Sequence, residues 1–236
     1  AKFAVTNMTS ESEQTDAAHE TNPAPPPLPR RTLIWLMIHA ILYLPFRLWC
    51  RTVVIGRENI DNTQGGIFIV NHQSFLDPLF VGVRLTRPLS YLARDSLFKL
   101  PFIGWICRKT HVIPISRTAF RGSSIRTAID RLKKGFLVGI YPEGTRSSGA
   151  PKEFRPGFLS LVRRVDVPIY PVAVIGADKA MPRNAWFIRP VKVTVVYGKA
   201  LTPDQHQRLL DGGDDKALAA EIRDMVAKLY EEGLNA

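Results

Sequence analysis

Residues 65–78 read GGIFIVNHQSFLDP, and this stretch decides the fold. Its first half is a continuous apolar run with the length of one buried strand. Its second half becomes polar at Asn71 and ends in Asp77-Pro78, a pair that favours the start of a helix. The stretch therefore predicts a buried strand, a short polar turn and a helix in immediate succession.

The same alternation continues on both sides of this stretch. Further helices are predicted by the hydrophobic spacing at residues 78–86, 96–108, 117–135 and 214–232. Apolar runs predict strands at residues 52–56, 66–71, 111–116, 136–142, 169–176 and 191–198. Strands interleaved with helices predict an α/β fold, in which helices cover a mixed, mostly parallel central sheet.

His72 and Asp77 are candidates for catalysis, because an imidazole oriented by a carboxylate can act as a general base near neutral pH. Their five-residue offset places them about 140° apart on a helix and on opposite faces of a strand. They can meet only if the chain bends back between the strand end and the helix start. The structural alternative is that Asp77 caps the helix and forms a capping box with Ser74.

A general base needs a group to deprotonate, and the chain has no G-x-S-x-G nucleophile motif. The two cysteines, Cys50 and Cys107, have no metal-ligand spacing, and we expect both to be buried or inert. We therefore expect the nucleophile to be a hydroxyl of the substrate, or water.

A second polar cluster follows another apolar run, in the stretch YPEGTRSSG at residues 141–149. Glu143, Gly144, Thr145 and Arg146 combine backbone N–H groups, a hydroxyl and a guanidinium, which suit an anion such as phosphate. An ordinary solvated turn is the alternative. Because Arg117 also follows a predicted strand, parallel neighbours would bring all these groups to one edge of the sheet.

The N-terminal region divides into two parts. Residues 1–31 are polar and then proline-rich, so we expect a mobile tail in which residues 1–7 are a cloning remnant before Met8. Residues 32–50 hold the most apolar segment, but the uncharged part from Thr32 to Phe46 is shorter than the ~20 residues that span a bilayer. We expect a helix lying in one leaflet, with a buried core helix as the alternative.

Charge is distributed unevenly along the chain. Residues 1–31 carry a net −1, residues 32–200 a net +16, and residues 201–236 a net −4. The basic middle predicts an anionic partner: nucleic acid, acidic lipid headgroups or phosphorylated substrates. The apolar stretch LFKLPFIGW at residues 97–105 either rests on a membrane with this basic surface or forms a core helix.

Four stretches occur in the order NHQSFLDP, HVIPISR, YPEGTRS and VPIYPVAV. Together they resemble the sequence blocks of the glycerolipid acyltransferases, specifically the PlsC-type 1-acyl-glycerol-3-phosphate (lysophosphatidic acid) acyltransferases. The resemblance covers roughly residues 50–200. It implies three parts: a tail at 1–31, a membrane-associated helix at 32–50 and a catalytic domain at 51–236.

The resemblance also implies a reaction and roles for residues. His72 would deprotonate the free hydroxyl of a lysophospholipid, Asp77 would orient His72, and the hydroxyl would attack acyl-CoA or acyl-carrier protein. The acceptor phosphate would be held by Glu143, Gly144, Thr145 and Arg146, with help from Arg117. The oxyanion would be stabilised by a backbone N–H near Gly144 and by Arg94, with Lys99 as a rival. Val167 to Pro171 would line the acyl-donor side.

The resemblance implies no metal and no other cofactor, an anionic bilayer surface as partner and a location at the cytoplasmic face of the cell membrane. Two alternative enzymes remain open: an acyltransferase acting on glycerol-3-phosphate or another lysolipid, and a thioesterase that uses water. The alternative from another class is a basic, non-catalytic domain that binds membrane or nucleic acid. The chain has no evident RNA-binding sheet motif or helix-turn-helix pattern, so we expect no nucleic-acid partner.

Overall fold

The computed structural model describes residues 33–82, 84–115 and 122–236. The predicted tail at residues 1–31 and the candidate ligand Arg117 lie outside these ranges. Within them, the chain forms seven strands and eight α-helices, with short 3₁₀ helices at Arg57–Asn59, Asp95–Lys99 and Pro156–Phe158.

The strands form one sheet in the order β1-β7-β6-β2-β5-β3-β4. All neighbouring pairs are parallel except β6 and β7, which are antiparallel. The predicted mixed, mostly parallel sheet is therefore confirmed. The strands are β1 (Val53–Ile55), β2 (Gly66–Val70), β3 (Leu89–Arg94), β4 (Ile113–Ile115), β5 (Leu137–Ile140), β6 (Ile169–Ile175) and β7 (Thr194–Tyr197).

Helices cover both faces of this sheet, as predicted. They are α1 (Leu33–Leu48), α2 (Asp77–Gly82), α3 (Pro101–Lys109), α4 (Gly122–Lys133), α5 (Leu159–Val162), α6 (Ala177–Ala180), α7 (Pro203–Asp211) and α8 (Asp215–Leu234). Side chains of α4, α5, α7 and α8 join the hydrophobic core on one face. The end of α1, together with α2 and α6, contributes to the core on the other face.

The central strands are apolar on both faces because both are covered. Alternate residues of β2 point to opposite sides of the sheet. Ile67 and Ile69 belong to the core under α4, α5 and α8. Phe68 and Val70 belong to the core under α2 and α6. All four side chains are fully buried, which explains why β2 is a continuous apolar run rather than an alternating one.

Three parallel strands at the centre of the sheet end at the same edge. In β2, Ile69 lies beside Ile140 of β5, and Val70 lies beside Val172 of β6. The polar segments that follow β2 and β5, which begin at residues 71 and 141, therefore emerge side by side. The sheet topology thus brings the two polar clusters of the sequence to one edge.

Some predicted elements differ from the observed ones. The strand β3 was not predicted, and neither was the helix α7. The helix predicted at 96–108 is divided into the 3₁₀ helix Asp95–Lys99 and α3, because Leu100-Pro101 starts a new helix. The apolar stretch at 97–105 is not a buried core helix, since Leu100, Ile103 and Trp105 are each more than 40% exposed.

Near its C-terminal end, the helix α1 packs against the domain. Phe46 is buried and stacks on Phe80 at 4.5 Å, and Arg84 donates a 2.6 Å hydrogen bond to the Tyr43 hydroxyl. The exposed apolar side chains of α1 recur at helical spacing: Leu33, Leu36, Met37, Ile41, Leu44 and Leu48. No helix among the described residues is long and apolar enough to cross a membrane.

Candidate active site

His72 and Asp77 form a hydrogen-bonded pair at the sheet edge. His72 follows β2, and Asp77 is the first residue of α2. The chain bends back between them, so that His72 Nδ1 lies 2.8 Å from Asp77 Oδ2. Because an ionised carboxylate can only accept, Nδ1 carries the hydrogen and Nε2 is the ring nitrogen left for a substrate. The imidazole also packs on the Tyr141 ring, with the centroids 4.5 Å apart.

The Asp77 carboxylate organises the whole turn. Its Oδ2 atom also accepts hydrogen bonds from the backbone N–H groups of Gln73 at 2.7 Å and Ser74 at 2.8 Å. The contact with Ser74 is half of the predicted capping box, so the structural and the catalytic interpretation describe the same side chain. Asp77 is fully buried. Burial raises its pKa, and the hydrogen bonds from His72, Ser74 and Gln73 counteract part of that rise.

The side-chain amides of Asn71 and Gln73, one on each side of His72, bind the turn to the rest of the domain. The Asn71 side chain donates to the Val174 carbonyl at 2.9 Å and accepts from the Val174 N–H at 2.7 Å. The Gln73 side chain donates to the Gly149 carbonyl at 2.8 Å and accepts from the Ala177 N–H at 3.1 Å. The backbone of His72 therefore lies between two residues whose side chains each make two hydrogen bonds to other parts of the domain.

The second polar cluster is bound directly to the first. Glu143 Oε1 accepts from the His72 backbone N–H at 2.9 Å, and Glu143 Oε2 accepts from the Ser147 hydroxyl at 2.6 Å. The Ser147 N–H donates to the His72 carbonyl at 2.7 Å. Both polar clusters therefore open on the same side of the molecule.

The expected role of Glu143 is corrected by these contacts. The resemblance implies that Glu143 helps to hold a phosphate. The side chain is instead 4% exposed, and protein donors occupy both of its oxygens. A buried carboxylate would also repel a phosphate. Glu143 supports the backbone of His72 rather than contacting a ligand.

Gly144 lies at the turn that follows Glu143, with a positive φ of 67°. Its N–H donates to the Tyr141 carbonyl at 3.1 Å and so serves the turn, and the expected oxyanion donor near Gly144 stays a prediction. A Cβ at this position would lie 3.4 Å from the Arg155 guanidinium, which packs against the glycine. The turn thus brings a further cation to the site.

Arginines gather beside the dyad. The Arg146 guanidinium lies 3.7 Å from the centroid of the exposed Phe75 ring. Arg183 donates to the Thr145 hydroxyl at 3.3 Å and to the Arg146 carbonyl. Partial burial and the nearby charges of Arg183 and Arg94 lower the pKa of Arg146. The like charges lie close together, as expected of a group that binds an anion.

Three other candidates are placed as follows. Arg94 is the exposed last residue of β3, which neighbours β5, and it belongs to the arginine group. Lys99 is exposed and lies in the 3₁₀ helix Asp95–Lys99. The assignment of residues 167–171 to the acyl-donor side stays a prediction. Ile169 and Tyr170 are buried at the start of β6, roughly 13–17 Å back along the sheet from His72 at ~3.3 Å per residue.

Comparison with known proteins fits this geometry. The family model described as Acyltransferase matches residues 51–175, which include the dyad and the whole of the second cluster. The chain belongs to the acyltransferase family.

Two proteins similar to this acyltransferase chain are both named as 1-acyl-sn-glycerol-3-phosphate acyltransferases. The 1-acyl-sn-glycerol-3-phosphate acyltransferase of Chlamydomonas reinhardtii is 31% identical over 177 residues, which are 73% of this chain and 53% of that protein. The one of Borreliella burgdorferi is 26% identical over 205 residues, covering 84% of this chain and 80% of that protein. The chain thus spans only about half the length of the first of these relatives.

A solved structure has the same fold as this acyltransferase chain. The crystal structure of the 1-acyl-sn-glycerophosphate (LPA) acyltransferase PlsC from Thermotoga maritima superposes with a TM-score of 0.70 at 27% identity. The match covers 85% of this chain and 79% of that one. The likeness therefore extends over most of the sheet and its helices.

Sequence reasoning missed several residues of this site. Asn71 and Gln73 flank His72, and Tyr141 lies next to Pro142-Glu143. Their position beside the candidate residues could have indicated that they belong to the site. Arg183 lies outside the matched family segment and follows β6 at a distance of eight residues. No sequence pattern indicates that Arg183 belongs to the site. Its place follows from the sheet order, which brings the end of β6 beside the end of β2.

Proposed function

We propose that the protein transfers a fatty acyl group from an acyl thioester to the free hydroxyl of 1-acyl-glycerol-3-phosphate, giving phosphatidic acid. The observation that carries this proposal is the His72–Asp77 pair beside an arginine group, with Glu143 joining the turn of His72 to the turn that carries Arg146. A general base beside an anion site suits an acceptor that bears both a hydroxyl and a phosphate. The names of the relatives support the same acceptor.

In the proposed reaction, His72 Nε2 removes the hydroxyl proton as the hydroxyl oxygen attacks the thioester carbonyl carbon. The new C–O bond gives a tetrahedral intermediate whose negative charge lies on the former carbonyl oxygen. When the C–S bond breaks, the imidazolium returns its proton to the departing thiolate. The proton thus passes from alcohol to thiol, and His72 ends as it began.

Asp77 stabilises the imidazolium that forms during this step and keeps Nε2 directed at the acceptor. Its rigid contacts with the N–H groups of Gln73 and Ser74 suit this role, because they fix the carboxylate before substrate binds. Glu143 acts as a positioning residue, through the N–H of His72.

The acceptor phosphate binds between Arg146 and Arg183, with the Thr145 hydroxyl beside them. A guanidinium matches a phosphate with two parallel N–H donors, and a hydroxyl adds a third contact. Arg94, at the end of β3, is our candidate for stabilising the oxyanion, with Lys99 as the rival. The site needs no metal or other cofactor for this chemistry.

The substrates are lipids, so the site must meet a bilayer. The exposed apolar side chains of α1 support a helix that lies in one leaflet. At 16 residues and ~1.5 Å per residue, α1 measures about 24 Å, which is less than the ~30 Å hydrocarbon core. Basic residues around the helix favour anionic headgroups.

The test is an assay of purified protein with labelled acyl-CoA and a panel of acceptors, followed by product identification. We expect phosphatidic acid from 1-acyl-glycerol-3-phosphate, and a variant with His72→Ala that folds normally but loses turnover. Turnover of this variant within about tenfold of the wild type would refute the role of His72. Acyl-carrier protein serves as the second donor in a parallel series.

The alternative enzymes give different results in the same assay. Faster acylation of glycerol-3-phosphate or of another lysolipid would reassign the acceptor and keep the mechanism. Release of CoA that does not depend on an acceptor would identify a thioesterase. Salt-dependent DNA binding without any acyl transfer would favour the non-catalytic basic domain.

A further inference from the structure

The connection between α6 and β7 carries the most exposed large apolar side chain of the described residues. We call residues 181–190 of this connection the aromatic loop. Trp186 is 89% exposed and Phe187 is 48% exposed, and their rings touch each other edge to face at 5.3 Å. Aromatic side chains are usually buried because they hold large apolar areas. Two adjacent exposed rings therefore indicate a binding surface.

The aromatic loop is hydrogen-bonded to the domain near both of its ends, which holds its tip in place. Near its start, the Met181 carbonyl accepts a 3.2 Å hydrogen bond from the hydroxyl of Ser74, in the catalytic turn. Near its end, the Ile188 carbonyl accepts a 2.8 Å hydrogen bond from the indole N–H of Trp49. One end of the loop is thus bound to the catalytic turn, and the other to the chain that leaves α1.

Charge around the aromatic loop selects an anionic partner. No Asp or Glu occurs between Asp178 and Asp204, a stretch that contains the basic residues Lys179, Arg183, Arg189, Lys192 and Lys199. The segment from α1 to β1 is likewise free of acidic residues. An aromatic tip inside a stretch of chain whose charged residues are all basic is the composition of an interfacial membrane anchor.

Nucleic acid is also anionic and stacks on aromatic rings, but it does not fit the neighbouring surface. Trp49 connects the aromatic loop to α1, whose exposed side chains are long aliphatic ones: Leu33, Leu36, Met37, Ile41, Leu44 and Leu48. Aliphatic side chains pack well against lipid tails, but they cannot stack on nucleic-acid bases as aromatic rings do. The continuous surface therefore favours a bilayer.

We propose that the aromatic loop is a second membrane-insertion element. Trp186 and Phe187 enter the interface of an anionic bilayer beside α1, while the basic residues of the loop meet the headgroups. Arg183 belongs to the same loop and contacts Thr145 and Arg146. Insertion of the tip therefore brings the mouth of the active site to headgroup level, where a lipid acceptor presents its phosphate. The proposal concerns membrane contact and does not depend on which acyl transfer the site performs.

The first test measures partitioning of the full chain to vesicles of phosphatidylglycerol and phosphatidylcholine in equal parts. We expect the double variant Trp186→Ala/Phe187→Ala to partition about tenfold more weakly, because it loses apolar area that the bilayer would bury. The control is Leu210→Ala on α7, which removes a 40% exposed apolar side chain without touching the aromatic loop and should leave partitioning unchanged. Equal partitioning of the double variant and the wild type would overturn the proposal.

The second test locates the indole itself. Lipids brominated in the upper part of the acyl chain should quench the protein's tryptophan fluorescence, and Trp186→Phe should remove a large share of that quenching. Unchanged quenching in this variant would place Trp186 in water and overturn the proposal. A wild type that binds vesicles yet acylates no lysolipid in detergent would refute the proposed function alone, so the two failures are distinguishable.

Discussion

Replacing Glu143 separates a role in positioning His72 from a role in holding phosphate. In Glu143→Ala, the His72 backbone N–H and the Ser147 hydroxyl both lose their acceptor. A buried donor without a partner costs ~1–3 kcal/mol. The hydroxyl can rotate toward another acceptor but the N–H cannot, so we expect the free energy of unfolding to fall by about 1–3 kcal/mol.

Glu143→Gln is the informative companion, because it keeps the shape and removes the charge. The amide oxygen can accept from the His72 N–H, and the amide N–H can donate to the Ser147 hydroxyl oxygen. We therefore expect a loss of less than about 1.5 kcal/mol. Glu153 is exposed and lies in the same segment of the chain, so Glu153→Ala is the matched control and should change neither stability nor rate.

The kinetic readout is the split between kcat and the acceptor KM. A displacement of ~1 Å can cost ~100-fold in rate, so we expect Glu143→Ala to lower kcat by about that factor. The acceptor KM should stay within about twofold, because Glu143 does not touch the acceptor. Initial rates with acyl-CoA and lysophosphatidic acid, together with urea unfolding, provide both measurements. A raised acceptor KM with an unchanged kcat would restore Glu143 to the phosphate site and refute our assignment.

The remaining predictions concern the dyad, the anion site, α1 and a buried thiol. Asp77→Asn should lower kcat by about 10³–10⁴-fold while the fold is kept, since its amide favours the wrong imidazole tautomer, and a loss below about tenfold would contradict the dyad. Arg183→Ala should raise the acceptor KM about tenfold and leave the donor KM unchanged; an equal rise in both would argue against phosphate binding. Ile41→Asp with Leu44→Asp on α1 should release the protein from vesicles at high salt without unfolding it, and continued sedimentation with vesicles would count against α1 as an anchor. Burial raises the pKa of Cys107, so its thiolate fraction is small at pH 7 and its reaction with a thiol reagent should be slow and accelerate as the pH rises; fast reaction at pH 7 would show an exposed thiol.

The central strands could be predicted from the sequence because a strand that is buried on both faces is apolar at every position. β2, β5 and β6 are apolar on both faces, so each forms an unbroken apolar run. The dyad was predictable for a related reason. An offset of five residues forbids contact on a regular helix or strand, which leaves a bend at the strand end as the only route.

The strand β3 was missed because its stability comes from a distant partner. Its sequence LSYLAR is neither a continuous apolar run nor a clean alternation. Its Tyr91 ring fits against Gly139 of β5, where a Cβ would lie 2.6 Å from a ring atom. The space for Tyr91 is thus provided by a glycine 48 positions later, which no local pattern reveals.

The role of Glu143 could not be predicted for a similar reason. A glutamate beside an arginine in a turn suggests a solvated side chain. Its burial depends on donors from two other places, the N–H of His72 and the hydroxyl of Ser147. The register of β2 and β5 sets these donors, because it aligns Ile69 with Ile140 and so brings the two following turns into contact.

The antiparallel pairing of β6 and β7 explains why the site has residues beyond the matched family segment. β6 runs toward the edge where His72 lies, and β7 runs back from it, with Ile175 beside Thr194. The connection between these strands therefore begins and ends at the active-site edge. A parallel β7 would have required a crossover to the opposite edge, which would carry Arg183 and Trp186 away from His72. The reversal of one strand thus places both Arg183, our proposed phosphate ligand, and the aromatic tip that we expect to enter the membrane at the edge where His72 lies.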